Sequence, residues 1–270
     1  MLEISLGVSL ALLAVFIGIV AALIGIGGGA LIVPTLVLLF EFTSQKAVGT
    51  SSSVIVATSL SAAAAYAWQR RIDYRLGLAL AAGTIPGSVL GAYATGFVST
   101  QLLRVLFGLF MMAVSLRMVF SSDKRVSMVS TTRGGWARSI VDSRGVLFEY
   151  KASMLPGVAF SFLAGVASGL LGIGGGAVMV PVMTFLVGIP MHIAVATSAF
   201  MIVFSSFSAA VTQIAQGNVV FEYAAALALG SVIGAQIGAR LARRIRPGRL
   251  RKVFGVFLFV IGLRMVIPSL

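Results

Sequence analysis

The chain has 270 residues, of which 59% are hydrophobic and only 10% charged. A soluble domain covers its surface with about a quarter charged residues, so lipid must supply much of the solvent here. The sequence has no cysteine, which excludes disulfides, thiol chemistry and iron–sulfur clusters. Its net charge of +13 would suggest nucleic acid in a soluble protein, but here it reads as the basic loops that orient membrane helices.

A hydrocarbon core of about 30 Å needs about 20 apolar residues per crossing helix. The first such run is Ile4–Ile24. Met1–Ser9 carries Glu3 and no basic stretch, unlike a cleaved signal peptide, and is expected to open the first helix. The run then meets Gly25-Ile26-Gly27-Gly28-Gly29. A glycine costs about 1 kcal/mol against alanine inside a helix, so three in succession should break it. The short arm Ala30–Phe40 that follows spans about 16 Å if helical. Val48–Trp68, Leu76–Thr95 and Leu102–Phe120 are full-length candidates, and a polar stretch runs from Ser121 to Lys151. Beyond it come Leu155–Leu171, a second Gly-Ile-Gly-Gly-Gly at 172–176, the arm Ala177–Val187, and Ile193–Ala215, Tyr223–Ala242 and Val253–Ile267. The alternating segments of about ten residues that build membrane β-barrels are missing.

The two series are copies. At a constant offset of 147 positions, residues 25–119 match 172–266 at 36 of 95 positions without a gap. Basic residues gather at Arg70, Arg71 and Arg75, in the joining stretch (Lys124, Arg125, Arg133, Arg138, Arg144, Lys151), and between Arg240 and Lys252. By the positive-inside rule all three are cytoplasmic, and the last reads as an anchor against anionic lipid. The loop equivalent to Arg70–Arg75 is Gly217–Glu222, which has no basic residue, and the equivalent of Arg240–Lys252, Tyr93–Val105, has only Arg104. The same loop therefore faces opposite sides in the two halves, and each half crosses an odd number of times. The expected fold is an all-α polytopic membrane protein of two inverted-topology repeats, each of about five membrane segments, with broken or re-entrant helices at the glycine runs. Residues 1–120 form the first repeat, 121–151 a cytoplasmic linker and 152–270 the second repeat, with both termini outside.

Freed backbone groups at membrane depth must be buried in protein or line a wet cavity. In inverted-repeat transporters such breaks hold substrate, with half-helix N-termini turned toward anions. Gly27, Gly28, Gly29 and Gly174, Gly175, Gly176 would place their amides at the starts of the short arms, and a methyl on Gly28 or Gly175 is expected to block close backbone approach. Hydroxyls of Thr50, Ser51, Thr197 and Ser198 could donate to an anion without adding charge, or bond carbonyls and bridge helices. Gln69 and Gln216 are an equivalent pair near helix ends, read as residents of the headgroup level. The seven acids, among them Glu41, Asp73, Asp142 and Glu222, fall in loops or near span ends, which leaves no mid-span carboxylate for ion coupling. There is one histidine, His192, beside a short loop, no metal cluster and no P-loop. An enzyme, a metal site and an organic cofactor are not expected.

The doubled Gly-Ile-Gly-Gly-Gly-x4-Pro motif, the Thr50-Ser51-Ser52 and Thr197-Ser198 segments and the glycine-rich span after them resemble the TauE/SafE family of sulfite and organosulfur-anion exporters. The resemblance covers nearly the whole chain. It implies a multi-pass cell-membrane protein moving small sulfur-containing anions such as sulfite or sulfoacetate, chiefly outward. The positions that carry it are Gly27 to Gly29, Pro34, Thr50, Ser51, Gly174 to Gly176, Pro181, Thr197 and Ser198. Partners are then the lipid bilayer and a small anion, and alternating access would follow from one half rocking on the other. An anion channel, which would need a continuous hydrophilic lining, and a non-transporting scaffold or insertion factor are the competing readings.

Overall fold

A computed structural model describes residues 4–120, 136–242 and 247–267. Lys124, Arg125, Arg133, Arg243, Arg244 and Arg246 of the basic clusters, and the acids Glu3 and Asp123, lie outside the described residues. The first half holds α1 (Ile4–Ile24), α2 (Gly29–Leu39), α3 (Ser44–Trp68), α4 (Tyr74–Thr95) and α5 (Thr100–Phe120). The second holds α6 (Met154–Leu171), α7 (Gly176–Pro181) with a π-helical continuation Val182–Val187, α8 (Met191–Ala215), α9 (Phe221–Leu241) and α10 (Pro247–Val266). Six of these helices, α1, α3, α4, α5, α8 and α9, are long and apolar enough to cross a membrane. Their outer faces present Leu12, Phe16, Leu90, Leu109, Leu229 and Ile233, side chains that suit hydrocarbon. This is a multi-pass membrane protein.

The joining stretch is not wholly irregular. Trp136–Val141 and Leu147–Ala152 form an antiparallel hairpin, β1 and β2, pairing Trp136 with Ala152 and Val141 with Leu147. Residues 142–145 make its turn, where Asp142 Oδ1 accepts from the amides of Arg144 and Val146.

Helix contacts exchange between halves. α1 lies along α9, with Gly230 and Gly234 against the carbonyls of Ala11 and Val15; α6 lies along α4, with Gly83, Gly87 and Gly91 against Ser161, Phe162 and Val166. A side chain at these glycines would overlap the neighbouring helix, the close approach that small residues permit in membranes. α3 packs on its own equivalent, α8, and runs antiparallel to it. Gly49, near the start of α3, abuts Asn218 beyond the end of α8, and Thr197, near the start of α8, meets Asp73 beyond the end of α3. α5 and α10 are likewise antiparallel, with Gly108 against Gly262 and Ser115 donating to the carbonyl of Gly255.

Each glycine run turns the chain back inside the bundle. The backbone adopts positive φ at Gly25, Gly27 and Gly28, and again at Gly172, Gly174 and Gly175, a region open to glycine at no steric cost. The second arm returns to the side from which α6 set out, since Ser153 N donates to the carbonyl of Val187. The first arm ends with Phe40 and Phe42 packed edge-on against Tyr223 at the start of α9.

Candidate functional site

Residues 55 and 202 stand at the middle of the 25-residue helices α3 and α8. There the two glycine runs cross in direct contact. An added methyl on Gly29 would overlap the carbonyl oxygen of Gly172, and one on Gly176 would overlap that of Gly25. Gly27 and Gly174 are both roofed by Ile55 and Ile202. Both runs are fully buried. At Gly28, by contrast, the nearest neighbour is Ala21 Cβ at 3.4 Å, and at Gly175 it is Ser168 Cβ at 3.3 Å. The close backbone approach expected at the middle glycines belongs to Gly29 and Gly176 instead, because each arm's helix begins there and its axis crosses the opposite turn.

Among the described residues, no hydrogen bond takes up the amides of Gly27, Gly28 and Gly29 or those of Gly174, Gly175 and Gly176. The first amides of a helix have no partner within it, and the arms begin here. Buried amides without partners are rare and costly. Each set lies at the start of a short arm, the positive end of a half-helix, and the two runs meet where Gly29 and Gly176 abut the carbonyls of Gly172 and Gly25. The adjoining cavity, lined by Ile24, Ile26, Gly28, Leu31 and Leu258 among others, has a volume of about 10 Å³.

The hydroxyls hold this crossing together. Ser51 Oγ donates to the Gly172 carbonyl at 2.8 Å and Ser198 Oγ to the Gly25 carbonyl at 3.3 Å. Thr50 Oγ1 accepts from Val220 N at 3.1 Å and Thr197 Oγ1 from Asp73 N at 3.0 Å. All four hydroxyl residues are buried, and each bond has a counterpart 147 positions away. Pro34 lies inside α2 and Pro181 closes α7. Proline lacks the amide of an α-helical ladder, and beyond Pro181 the helix widens to π geometry. Gln69 is buried and Gln216 partly exposed. They cap α3 and α8 and donate to the carbonyls of Ala239 and Tyr93 in the opposite half, at 2.9 and 3.0 Å.

One cluster has no counterpart 147 positions away. Asp73 Oδ atoms accept from Arg138 Nη2 at 2.6 Å and Nε at 2.8 Å, from Tyr150 Oη at 2.7 Å and from Leu76 N at 3.1 Å. Arg71 pairs with Asp142 at 2.8 Å. The β-hairpin is thus docked on the α3–α4 loop, one bond away from Thr197. The equivalents of Arg71 and Asp73 are Asn218 and Val220, which cannot form such pairs. Burial would raise the carboxyls of Asp73 and Asp142, but the hydrogen bonds from Arg138 and Tyr150 on one and from Arg71 on the other outweigh it and hold both below the usual range. Burial and the neighbouring Asp73 push the Tyr150 phenol upward. A depressed carboxyl contributes stability that is complete above its unfolded pKa, about 3.9, and is lost as pH falls through the lower folded value. Amide protection in Leu147–Ala152, the exchange rate relative to unstructured chain at the same pH, is therefore expected to hold from pH 7 to about 4 and to fall only below that. Loss of protection between pH 7 and 5 would show that these carboxylates do not hold the hairpin.

These features describe a polytopic membrane protein with two broken helices that cross at the middle of α3 and α8, and the family match adds that it is a membrane transporter. The sequence profile described as Sulfite exporter TauE/SafE matches residues 10–265, and the chain belongs to that family. It is 35% identical over 266 residues to the Probable membrane transporter protein YunE of Bacillus subtilis (strain 168), covering 96% of this chain and 97% of that protein. It is 24% identical to the Probable membrane transporter protein MJ0441 of Methanocaldococcus jannaschii, over 93% of this chain and 92% of the other. The Sulfite exporter TauE/SafE family protein 5 of Arabidopsis thaliana matches at 28% identity over 46% of this chain and 28% of its own length. No solved structure matches the chain.

Proposed function

We propose that the protein exports small sulfur-containing anions, sulfite or an organosulfonate, by alternating access around the crossed glycine runs. The observation that carries this reading is the double set of buried amides without protein partners at Gly27 to Gly29 and Gly174 to Gly176. Neutral donors at helix starts bind an oxyanion without the permanent charge that would retain it. Ser51 and Ser198 shape the site by fixing the glycine turns, Thr50 and Thr197 tie the two central helices to the loops of the opposite half, and Pro34 and Pro181 fix the arms. The family match and the printed names of the relatives support a sulfite-exporter type.

The halves act as inverted repeats, residues 1–120 and 152–270, joined by a cytoplasmic linker at 121–151. The antiparallel course of α3 and α8 and the loop charges support this. Reporters fused after Thr100, Arg133, Gly217 and Pro247 should read outside, inside, outside and inside. Matching sides for Thr100 and Pro247 would defeat the inverted arrangement. The function itself is tested by flux of sulfite, sulfoacetate and thiosulfate into proteoliposomes. Saturable uptake of at least one is expected, and passive leak rates for all three would reject the reading.

A further inference from the structure

Away from the glycine crossing, a cleft of about 790 Å³ opens between the C-terminal ends of α3 and α9 and the turn of the β-hairpin. Trp68, Gln69, Arg144, Gln236 and Arg240 line it, with Ile237 and Leu241 on its apolar side. Among the described residues no carboxylate lines it, and neither Arg144 nor Arg240 has an ion-pair partner. Both arginines are exposed. Gln69 is 2% exposed, and its Oε1 is buried without a hydrogen-bond partner.

Two further observations point to a ligand. The first is the contrast with the other half. The equivalents of Trp68, Gln236 and Arg240 are Ala215, Val89 and Tyr93, so the fold does not require these side chains here. The second is a polar seam leading inward. Gln236 Nε2 donates to the carbonyl and hydroxyl of Ser61, Ser61 Oγ donates to the Val232 carbonyl, and Thr58 Oγ1 donates to Ser231 Oγ at 2.8 Å. Thr58 is one helical turn from Ile55, which roofs the crossing.

We infer that this cleft is a binding site for an oxyanion carried on a small organic body. Arg144 and Arg240 supply the charge and a planar donor geometry suited to sulfonate or phosphate oxygens. Gln69 Oε1 offers an acceptor to a hydroxyl or ammonium on the same ligand, and Trp68, Ile237 and Leu241 cover its apolar part. The volume falls in the range that holds whole small organic molecules, well beyond a bare sulfite. Two sources share this chemistry: a free organosulfonate waiting at the cytoplasmic mouth, and the headgroup phosphate of an anionic phospholipid. Only the first depends on the exporter reading.

The test uses the full chain in maltoside micelles with Trp136→Phe, which leaves Trp68 as the single indole. Ethanesulfonate and a short-chain phosphatidylglycerol are titrated separately while Trp68 emission is followed. A saturable change is expected with at least one of them. Arg144→Gln and Arg240→Gln, both at exposed positions, should each weaken it about tenfold or more, the loss of one hydrogen bond to a charged group, with the melting temperature unchanged. Saturation by ethanesulfonate identifies a substrate vestibule, and saturation by the lipid alone identifies a headgroup seat. Either supports the oxyanion site. No arginine-dependent saturation by either probe overturns it. Sulfite flux measured on the same variants separates the two proposals, since flux that persists without cleft binding refutes only this one.

Discussion

Replacing Gly29 and Gly176 with alanine is expected to abolish transport. Each methyl would overlap a backbone carbonyl oxygen of the opposite glycine run, and a backbone atom cannot swing aside as a side chain can. Overpacking a tight interior costs about 1–3 kcal/mol, and more where nothing yields. Either single variant should stand at or above the upper end, so flux should fall about a hundredfold for each 3 kcal/mol lost at the crossing. Gly28→Ala is the internal comparison. Its neighbours begin at 3.4 Å, so its cost is the strain of a left-handed backbone, about 1–2 kcal/mol. Gly7→Ala, with no neighbour within 4 Å, should behave as wild type. The check is sulfite flux together with the melting temperature of purified protein. A Gly29→Ala variant no worse than Gly28→Ala in both measurements would mean that the two runs do not touch as described.

Asp73→Ala is expected to free the β-hairpin from the membrane helices. The carboxylate accepts four hydrogen bonds, and removing it strands a guanidinium and a phenol. Breaking a buried ion pair by deleting one partner costs about 3–5 kcal/mol. Arg138, whose side chain is 22% exposed, can rehydrate, which places the effect near the lower end. Hydrogen exchange in Trp136–Val141 and Leu147–Ala152 should accelerate about a hundredfold at neutral pH. The double variant Asp73→Ala, Arg138→Ala should recover part of the loss, since no unpaired charge remains. Unchanged exchange in the single variant would show that the remaining contacts hold the hairpin unaided.

Much of the architecture was legible because bilayers leave few options. Hydropathy located the long helices within a few residues, and the repeat carried both glycine runs. The doubled run also announced a break at equivalent depth. What one sequence cannot specify is which backbone atom meets which across that break. The step from Gly28 to Gly29 as the contact point depends on the crossing angle of two arms that lie 147 positions apart in the chain. Ser51 and Ser198 were legible as polar residues near helix starts, but not as donors to the opposite turn, since a hydroxyl's partner is set by tertiary approach. Asp73 was read as a loop acid, because its partners, Arg138 and Tyr150, lie 65 and 77 positions away. The hairpin left a signal that was passed over: Trp-Ala-Arg-Ser-Ile-Val and Leu-Phe-Glu-Tyr-Lys-Ala alternate around a turn containing Asp142 and Gly145, the period of a strand.

The docked hairpin has a thermodynamic consequence for a machine made of two similar halves. Were the halves identical, the conformers open to either face would be equal in energy and equally populated at rest. In the alternating-access cycle proposed above, ion pairs that clasp the hairpin to one loop alone would remove that degeneracy and weight the resting ensemble toward the conformer that keeps them. A ligand shifts such an equilibrium only by its differential affinity for the two conformers. A fixed bias of this kind cannot rectify flow, because it appears in inward and outward cycles alike and cancels around each closed loop. In that cycle it would set only how long the carrier waits before accepting cargo. The direction of net movement in the proposed cycle would then come from the anion gradient or from an ion moved with it.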